Sequence, residues 1–285
     1  MLVIAGFTGH VGSVAAQELL SKGAKVKVLV RDPAKGVEWS KKGAEVATGS
    51  LEDAAFLASA LKGATGFFTL LPPNYHVAGF YAFQRKTADA IARAVKESGI
   101  PHVVMLSSIG ADLDSGNGPI KGLHYLENEL RATGVNLTAI RAGYFQENVG
   151  NSLAPAKTAG IFPNMSPSPD YPLPMIATRD IGLLVASELL LPSAKSEVID
   201  LAGPAYTVRQ VAELLGNALG KKLQVVDVPA KDHVATYVRA GMSQELAEIF
   251  TEMNAGFASG RIRPVGDRLK TGPTRLETTI KTIVG

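Results

Sequence analysis

Residues 4–12 read IAGFTGHVG, and Gly6, Gly9 and Gly12 stand three apart directly after the apolar run Leu2-Val3-Ile4-Ala5. Glycines at this spacing cradle a pyrophosphate when a strand precedes them and a helix follows. The first permits a sharp turn, the second lets backbone N–H groups reach phosphate, and the third lets the helix pack close to the sheet. The helix start then offers unpaired N–H donors and the positive end of its dipole. Thr8 adds a hydroxyl. A purely structural turn is the alternative reading of the same residues.

More chemistry lies at the end of the next apolar run, VLV-Arg31-Asp32-Pro33-Ala34-Lys35. An acid about 20 residues past the glycines would bond the ribose hydroxyls of NAD. Arg31 occupies that place and Lys35 follows one turn later; a guanidinium there suits a 2′-phosphate, which points to NADPH. Asp32 keeps NADH open, because turned inward it would take the ribose itself. A solvated helix start is the bland alternative for Arg31 and Lys35.

Ser107 and Ser108 follow the run HVVML, where a hydroxyl could meet the reacting end of a dinucleotide. A serine so placed works with a Tyr-x-x-x-Lys pair, in which lysine eases proton transfer by tyrosine. No tyrosine in the chain has lysine four residues on, which argues against an ordinary alcohol dehydrogenase and weakens a sugar-nucleotide epimerase. His10, His76, His102 and His233 show no metal-ligand spacing, so no metal is expected. The absence of cysteine excludes disulfides, thiolate metal sites and a cysteine nucleophile.

These groups need elements to position them. Strands are expected at 2–5, 25–30, 44–48, 66–71, 102–107 and 136–141, with helices at about 12–22, 34–42, 52–62, 76–98 and 121–133. Such alternation predicts an α/β fold: a Rossmann-type doubly wound parallel sheet covered on both faces. Residues 1–150 are expected to form the nucleotide-binding domain. Residues 151–285 are expected to form a smaller, interleaved α+β substrate and lid region that returns strands to the main sheet. Six prolines between 155 and 174 predict a long loop or lid with little helix. Beyond it, strand and helix patterns recur around MIATRDIGLLVASELL, VIDLAG, TVRQVAELLGNAL and LQVVDVP, with helices over 230–259 and a last one over 274–283.

Composition bounds the partners. The net charge of +3 is spread over the chain without a long basic run, so nucleic acid is not expected to bind directly. No apolar stretch approaches the ~20 residues that span a bilayer, and Met1 leads straight into a strand without a signal-peptide pattern. The expectation is a cytoplasmic protein without a membrane anchor.

Together the stretches GFTGHVGS, VLVRDPAKG, LHYLENELRATGVNLTAIRAGYFQEN, ATRDIG and VIDLAGPAYTVRQVAELL resemble the NmrA-like, atypical short-chain dehydrogenase group along nearly the whole chain. The segment Arg-Ala-Gly-Tyr-Phe-Gln-Glu-Asn is the most specific of these. Members include NAD(P)H quinone oxidoreductases of type 2, triphenylmethane and azo-dye reductases, and regulators that bind cofactor without turnover. The resemblance implies that Gly6, Thr8, Gly9, His10, Val11 and Gly12 touch phosphates. It places Arg31 and Lys35 at the adenine ribose, Ser50 and Leu51 near the adenine, and Leu71, Pro72, Ser107, Gly143, Tyr144 and Phe145 beside the nicotinamide. The implied function is hydride transfer from NADPH, with NADH possible, to a small planar acceptor such as a quinone or dye. The alternative is a cofactor-sensing regulatory protein. A monomer or homodimer is implied.

In one place the chain departs from the group. Several members carry lysine or histidine four residues before the glutamate matched by Glu127, where this chain has Leu123. His124 lies three before Glu127, positioned either to pair with it or, with Tyr125, to donate a proton to substrate. A planar acceptor would meet Phe80, Tyr144, Phe145, Phe162, Met165 and Tyr171.

Overall fold

The computed structural model describes all 285 residues. Strands β1 (Leu2–Ile4), β2 (Val26–Val30), β3 (Glu45–Thr48), β4 (Gly66–Thr69), β5 (His102–Ser108) and β6 (Asn136–Ala142) alternate with helices α1 (His10–Ser21), α2 (Pro33–Lys41), α3 (Ala54–Leu61), α4 (Phe80–Ser98) and α5 (Lys121–Ala132). Asp32 and Asp53 cap α2 and α3, accepting the N–H groups of Ala34 and Phe56 at 3.0 Å. Helix α4 starts four residues later than its periodicity suggests, because Gly79 turns the chain with a left-handed φ of 70°.

Beyond β6 the chain forms β7 (Tyr144–Phe145), α6 (Leu153–Ala159), β8 (Ile161–Asn164), β9 (Leu173–Ile176), α7 (Thr178–Leu190), β10 (Glu197–Ala202), β11 (Ala205–Tyr206), α8 (Val208–Leu219), β12 (Gln224–Asp227), α9 (His233–Arg239), α10 (Gln244–Ala258), β13 (Arg268–Thr271) and α11 (Leu276–Val284). The expectation of a long loop over 155–174 is corrected. Pro155 falls in the first turn of α6, where a missing N–H costs nothing. Pro163 and Pro174 sit inside β8 and β9, which belong to short two- and three-stranded sheets. Only residues 165–172 remain as loop.

The main sheet has eight strands in the order β3-β2-β1-β4-β5-β6-β10-β13, and each neighbouring pair is parallel. Side chains alternate between its faces. Leu2, Ile4 and Phe68 pack with α1 and α7, whereas Val3, Ala5 and Phe67 pack with α3, α4 and α5. A third core, around Phe162, Val211, Leu215, Leu276 and Ile280, joins α8 and α11 to the small sheets. The later half of the chain thus adds β10 and β13 to the main sheet while building its own cap.

Beneath α5, three adjacent strands present polar residues in register: Ser107 beside Arg141, and Arg141 beside Asp200. Glu127, with a fully buried side chain, descends from α5 onto them. Its carboxylate accepts from Ser107 Oγ at 2.6 Å, from Arg141 Nε and Nη2 at 3.0 and 2.8 Å, and from Arg131 Nη2 at 2.7 Å. Desolvation, the strongest single influence, raises the carboxyl pKa. The two arginines and Ser107 outweigh it and hold the group below the ordinary carboxylate range.

Glu127→Gln is therefore expected to cost about 3 kcal/mol in urea unfolding at neutral pH, because it strips the main counter-charge from buried Arg141. A depressed folded-state pKa means that the wild-type contribution is complete above the ordinary carboxylate pKa and drains as pH falls through the lower folded value. The stability gap between the two proteins should narrow in acid; a gap independent of pH would contradict this account.

Candidate functional site

Strand order reverses between β1 and β4, and in open α/β sheets ligands bind at the carboxyl ends of the strands at such a switch. The glycine turn occupies this position. Gly6 takes φ 63°, and a Cβ there would strike Leu70. A Cβ on Gly12 would lie 2.5 Å from the Gly6 carbonyl oxygen, so only glycine lets α1 begin this close to the strand. At Gly9 the nearest obstacle to a Cβ is Gly6 O at 3.3 Å, and the rest is open crevice. The Gly9 N–H is taken by Gly6 O and the first helical bond runs from Ser13, leaving the N–H groups of His10, Val11 and Gly12 without an acceptor. Thr8, Gly9 and His10 are exposed beside them. These donors, with the open space above Gly9, fit a pyrophosphate.

At the end of β2, the Asp32 carboxylate is engaged as the cap of α2 through Ala34 N–H. Arg31 and Lys35 are exposed, and neither forms an ion pair. Thr8, Lys35, Trp39 and Lys42 border a groove of about 570 Å³ between α1 and α2. Two cations without partners and an acid occupied elsewhere suit a phosphate better than a ribose diol. Ser50 and Leu51, both half-buried, follow β3 along the same rim, and Ser50 Oγ accepts from Glu52 N–H.

On the other side of the switch lies a run of aromatic rings. Tyr75 is 6.3 Å from Phe80 and 5.6 Å from Phe250, and Tyr237 is 5.9 Å from Phe250. Asn254 donates to Tyr237 Oη at 2.8 Å and faces Met165 Sδ. Tyr144, just past β6, is 38% exposed. It is nonetheless walled in closely enough that desolvation pushes its phenol up to about 12, with Tyr237 adding to the rise. Burial raises Tyr75 and Tyr237 too. The wall therefore stays uncharged at neutral pH.

Several expected residues stand elsewhere. His124 does not pair with Glu127: its Nδ1 meets Ala111 O and its Nε2 meets Asn128 Nδ2, both at 2.9 Å, while Glu127 points beneath the helix. Tyr125 donates to Asp89 on α4 at 2.7 Å, and that bond, the main cause, pushes its phenol up to about 12. Both proton-donor candidates are thus spent on packing α5. The Ser107 hydroxyl is buried against Glu127 and does not face the crevice. Leu71 is buried in the α3–α4 core, whereas Pro72 and Gly143 are half-buried at the ends of β4 and β6. Phe145 packs onto the α1–α7 core, Phe162 belongs to the third core, and Tyr171 is 53% exposed without a ring partner. Of the aromatic set expected, Phe80, Tyr144 and Met165 come together; Tyr75, Tyr237 and Phe250 complete the wall. Tyr75 belongs to the stretch 70–75 that follows β4, where the sequence places it beside the reacting end, whereas Tyr237 and Phe250 arrive only through the docking of α9 and α10.

The chain is similar to known reductases over most of its length. An azoreductase using NAD(P)H, from Xenophilus azovorans, is 27% identical over 90% of this chain and 86% of its own. Quinone oxidoreductase 2 from Escherichia coli is 26% identical over 91% of this chain and 89% of its own. Its crystal structure with NADPH superposes with a TM-score of 0.83 at 22% identity, covering all of both chains. The triphenylmethane reductase of Citrobacter sp., solved with NADP(H), reaches a TM-score of 0.83 at 20% identity over 99% of this chain and all of that one. At those identities the structures speak for the fold. Residues 1–278 match the NmrA-like family, and the chain belongs to it.

Proposed function

We propose that this protein is a reductase that binds NADPH and delivers hydride to a planar acceptor of the quinone or dye type. The observation that carries the reading is the pairing across one switch point of unpaired N–H donors and free cations on one side with an uncharged aromatic wall on the other. The relatives named for azo-dye and quinone reduction support the acceptor class.

In this reading the N–H groups of His10, Val11 and Gly12, with the Thr8 hydroxyl, bind the pyrophosphate, and Arg31 and Lys35 hold the 2′-phosphate. Ser50 and Leu51 border the adenine. Pro72, Gly143 and Tyr144 border the nicotinamide, which when bound supplies the hydride. The aromatic wall orients the acceptor against it. No acidic side chain is needed for the proton: the Tyr144 hydroxyl offers a hydrogen bond to a reduced acceptor oxygen, and water protonates it. The engagement of both His124 nitrogens favours one other reading, a regulator that binds NADP(H) without turnover.

NADPH oxidation in the presence of simple quinones separates the two: turnover is expected, and tight cofactor binding with none would establish the regulator. Arg31→Ala should weaken NADPH binding roughly 10- to 100-fold, the worth of a charged hydrogen bond, while leaving NADH affinity unchanged. Equal losses for both cofactors, read by fluorescence titration, would remove Arg31 from the 2′-phosphate. Gly9→Glu should abolish binding of both with the fold intact, because its side chain enters the open crevice. A variant that titrates like the wild type would show that the pyrophosphate lies elsewhere.

A further inference from the structure

Helix α10 packs against α9, the segment that follows β5 and the start of α4, and it is tied to the last two by carboxylates. Glu245 and Glu252, two turns apart on one face, each grip the backbone of a different loop. The Glu245 carboxylate accepts from the N–H groups of Gly79 and Phe80, both at 3.2 Å, and so caps the start of α4. Glu252 accepts from Gly116 N–H at 2.7 Å, in the loop between β5 and α5. Between the two carboxylates, and again one turn past Glu252, the backbones nearly touch. A Cβ on Gly118 would strike Ile249 O, and one on Gly256 would lie 2.5 Å from Gly116 O. Gly116 and Gly118 both hold positive φ, at 73° and 57°. Apolar packing closes the rest: Leu246 and Ile249 with Phe80 at one end, Met253 and Phe257 with Ile109 and Ile262 at the other.

The neighbouring stripe of α10 carries Phe250 and Asn254, one turn apart. Phe250 meets Tyr75 and Tyr237, and Asn254 holds the Tyr237 hydroxyl. The strap therefore fixes the half of the aromatic wall that faces Tyr144. Tyr75, Phe250 and Tyr237 follow one another at 5.6 and 5.9 Å, and Phe250 meets both tyrosines edge to face, at 78° and 60°, while buried Phe80 backs Tyr75 at 6.3 Å.

We propose that α10 selects acceptors by size. Glu245 and Glu252 are positioning residues that hold Phe250 and Tyr237 as a platform for acceptors of two or more conjugated rings, in preference to single-ring ones. The inference rests on the reductase reading for the acceptor's chemistry, but acceptor binding can be measured without turnover. A multi-ring quinone can lie with its face on one ring and its edge against the next, whereas a single-ring quinone reaches one of them and gains little from the others.

The test is calorimetric titration of the full-length protein, saturated with NADP⁺ so that no reduction occurs, with phenanthrenequinone and with duroquinone. The wild type should bind phenanthrenequinone at least tenfold more tightly. Phe250→Ala should weaken phenanthrenequinone roughly tenfold, the scale of one lost stacking partner, and duroquinone less than twofold. Glu245→Ala should reproduce the selective loss, and Glu245→Gln, whose amide oxygen still accepts one N–H, should recover most of it. NADP⁺ affinity should stay constant throughout, which a merely unfolded variant would not allow. Equal affinity for the two quinones in the wild type, parallel losses for both in the variants, or loss of NADP⁺ binding together with quinone binding would each overturn the assignment. Selective quinone binding by a protein that never oxidises NADPH would keep the platform and reject the reductase.

Discussion

A helix can begin against the end of a buried strand only if nothing but backbone stands between them. Gly12 meets that condition: its α-carbon faces the carbonyl oxygens of Ala5 and Gly6 with no room for another atom. The far side of α1 is equally confined. A Cβ on Gly182 of α7 would sit 2.7 Å from Val11 O and from Val14 Cβ, so α7 also presses on α1 without a side chain intervening. Held on both sides, the first turn of α1 cannot tilt or slide, and its free N–H groups keep one aim. Interiors packed this closely transmit any misfit, so a methyl group at either glycine would displace the donor set as a whole.

The segment that most clearly marks the family, RAGYFQEN, turns out to be mainly a joint. Arg141 feeds the buried carboxylate under α5. Gln146, fully buried, donates to the carbonyls of Met175 and Thr274 and accepts from Thr279, tying β9 to α11. Glu147 accepts from the N–H and hydroxyl of Thr178 at the start of α7. Tyr144 alone in this stretch turns to the opening. Glu127 explains why the neighbouring polar residues of α5 resist a catalytic assignment: the helix hides its one deeply buried acid on its inner face, and His124 and Tyr125 flank it on contacts to a loop and to α4.

What could be read from residue order was whatever repeats along the chain. Alternation of apolar runs disclosed the parallel sheet and its two covered faces, and the glycine triplet disclosed the tight turn between β1 and α1. Arg31 and Lys35 were legible as cations at the place of the usual acid, but that Asp32 caps α2 instead of turning inward is visible only in the fold. Proline misled in the stretch after residue 150: it breaks long helices, but the first turn of α6 and the short strands β8 and β9 accommodate it. The aromatic wall was legible only in part, because Tyr75, Tyr144, Tyr237 and Phe250 come from four separate parts of the fold. Nothing in their local spacing distinguishes them from rings that fill a core, as Phe162 does.

Strand order also has a meaning for a chain still being made. The strands β1 to β6 pair with one another in a block, and β10 and β13 extend only one margin of that block. A ribosome that has released about half of the polypeptide has therefore supplied every strand flanking the switch point. The last strand on the margin emerges near the end. Domains acquire structure in the order they leave the exit tunnel, so a product cut after β6 would hold these strands but lack α7, which covers the sheet beside α1 and confines its first turn.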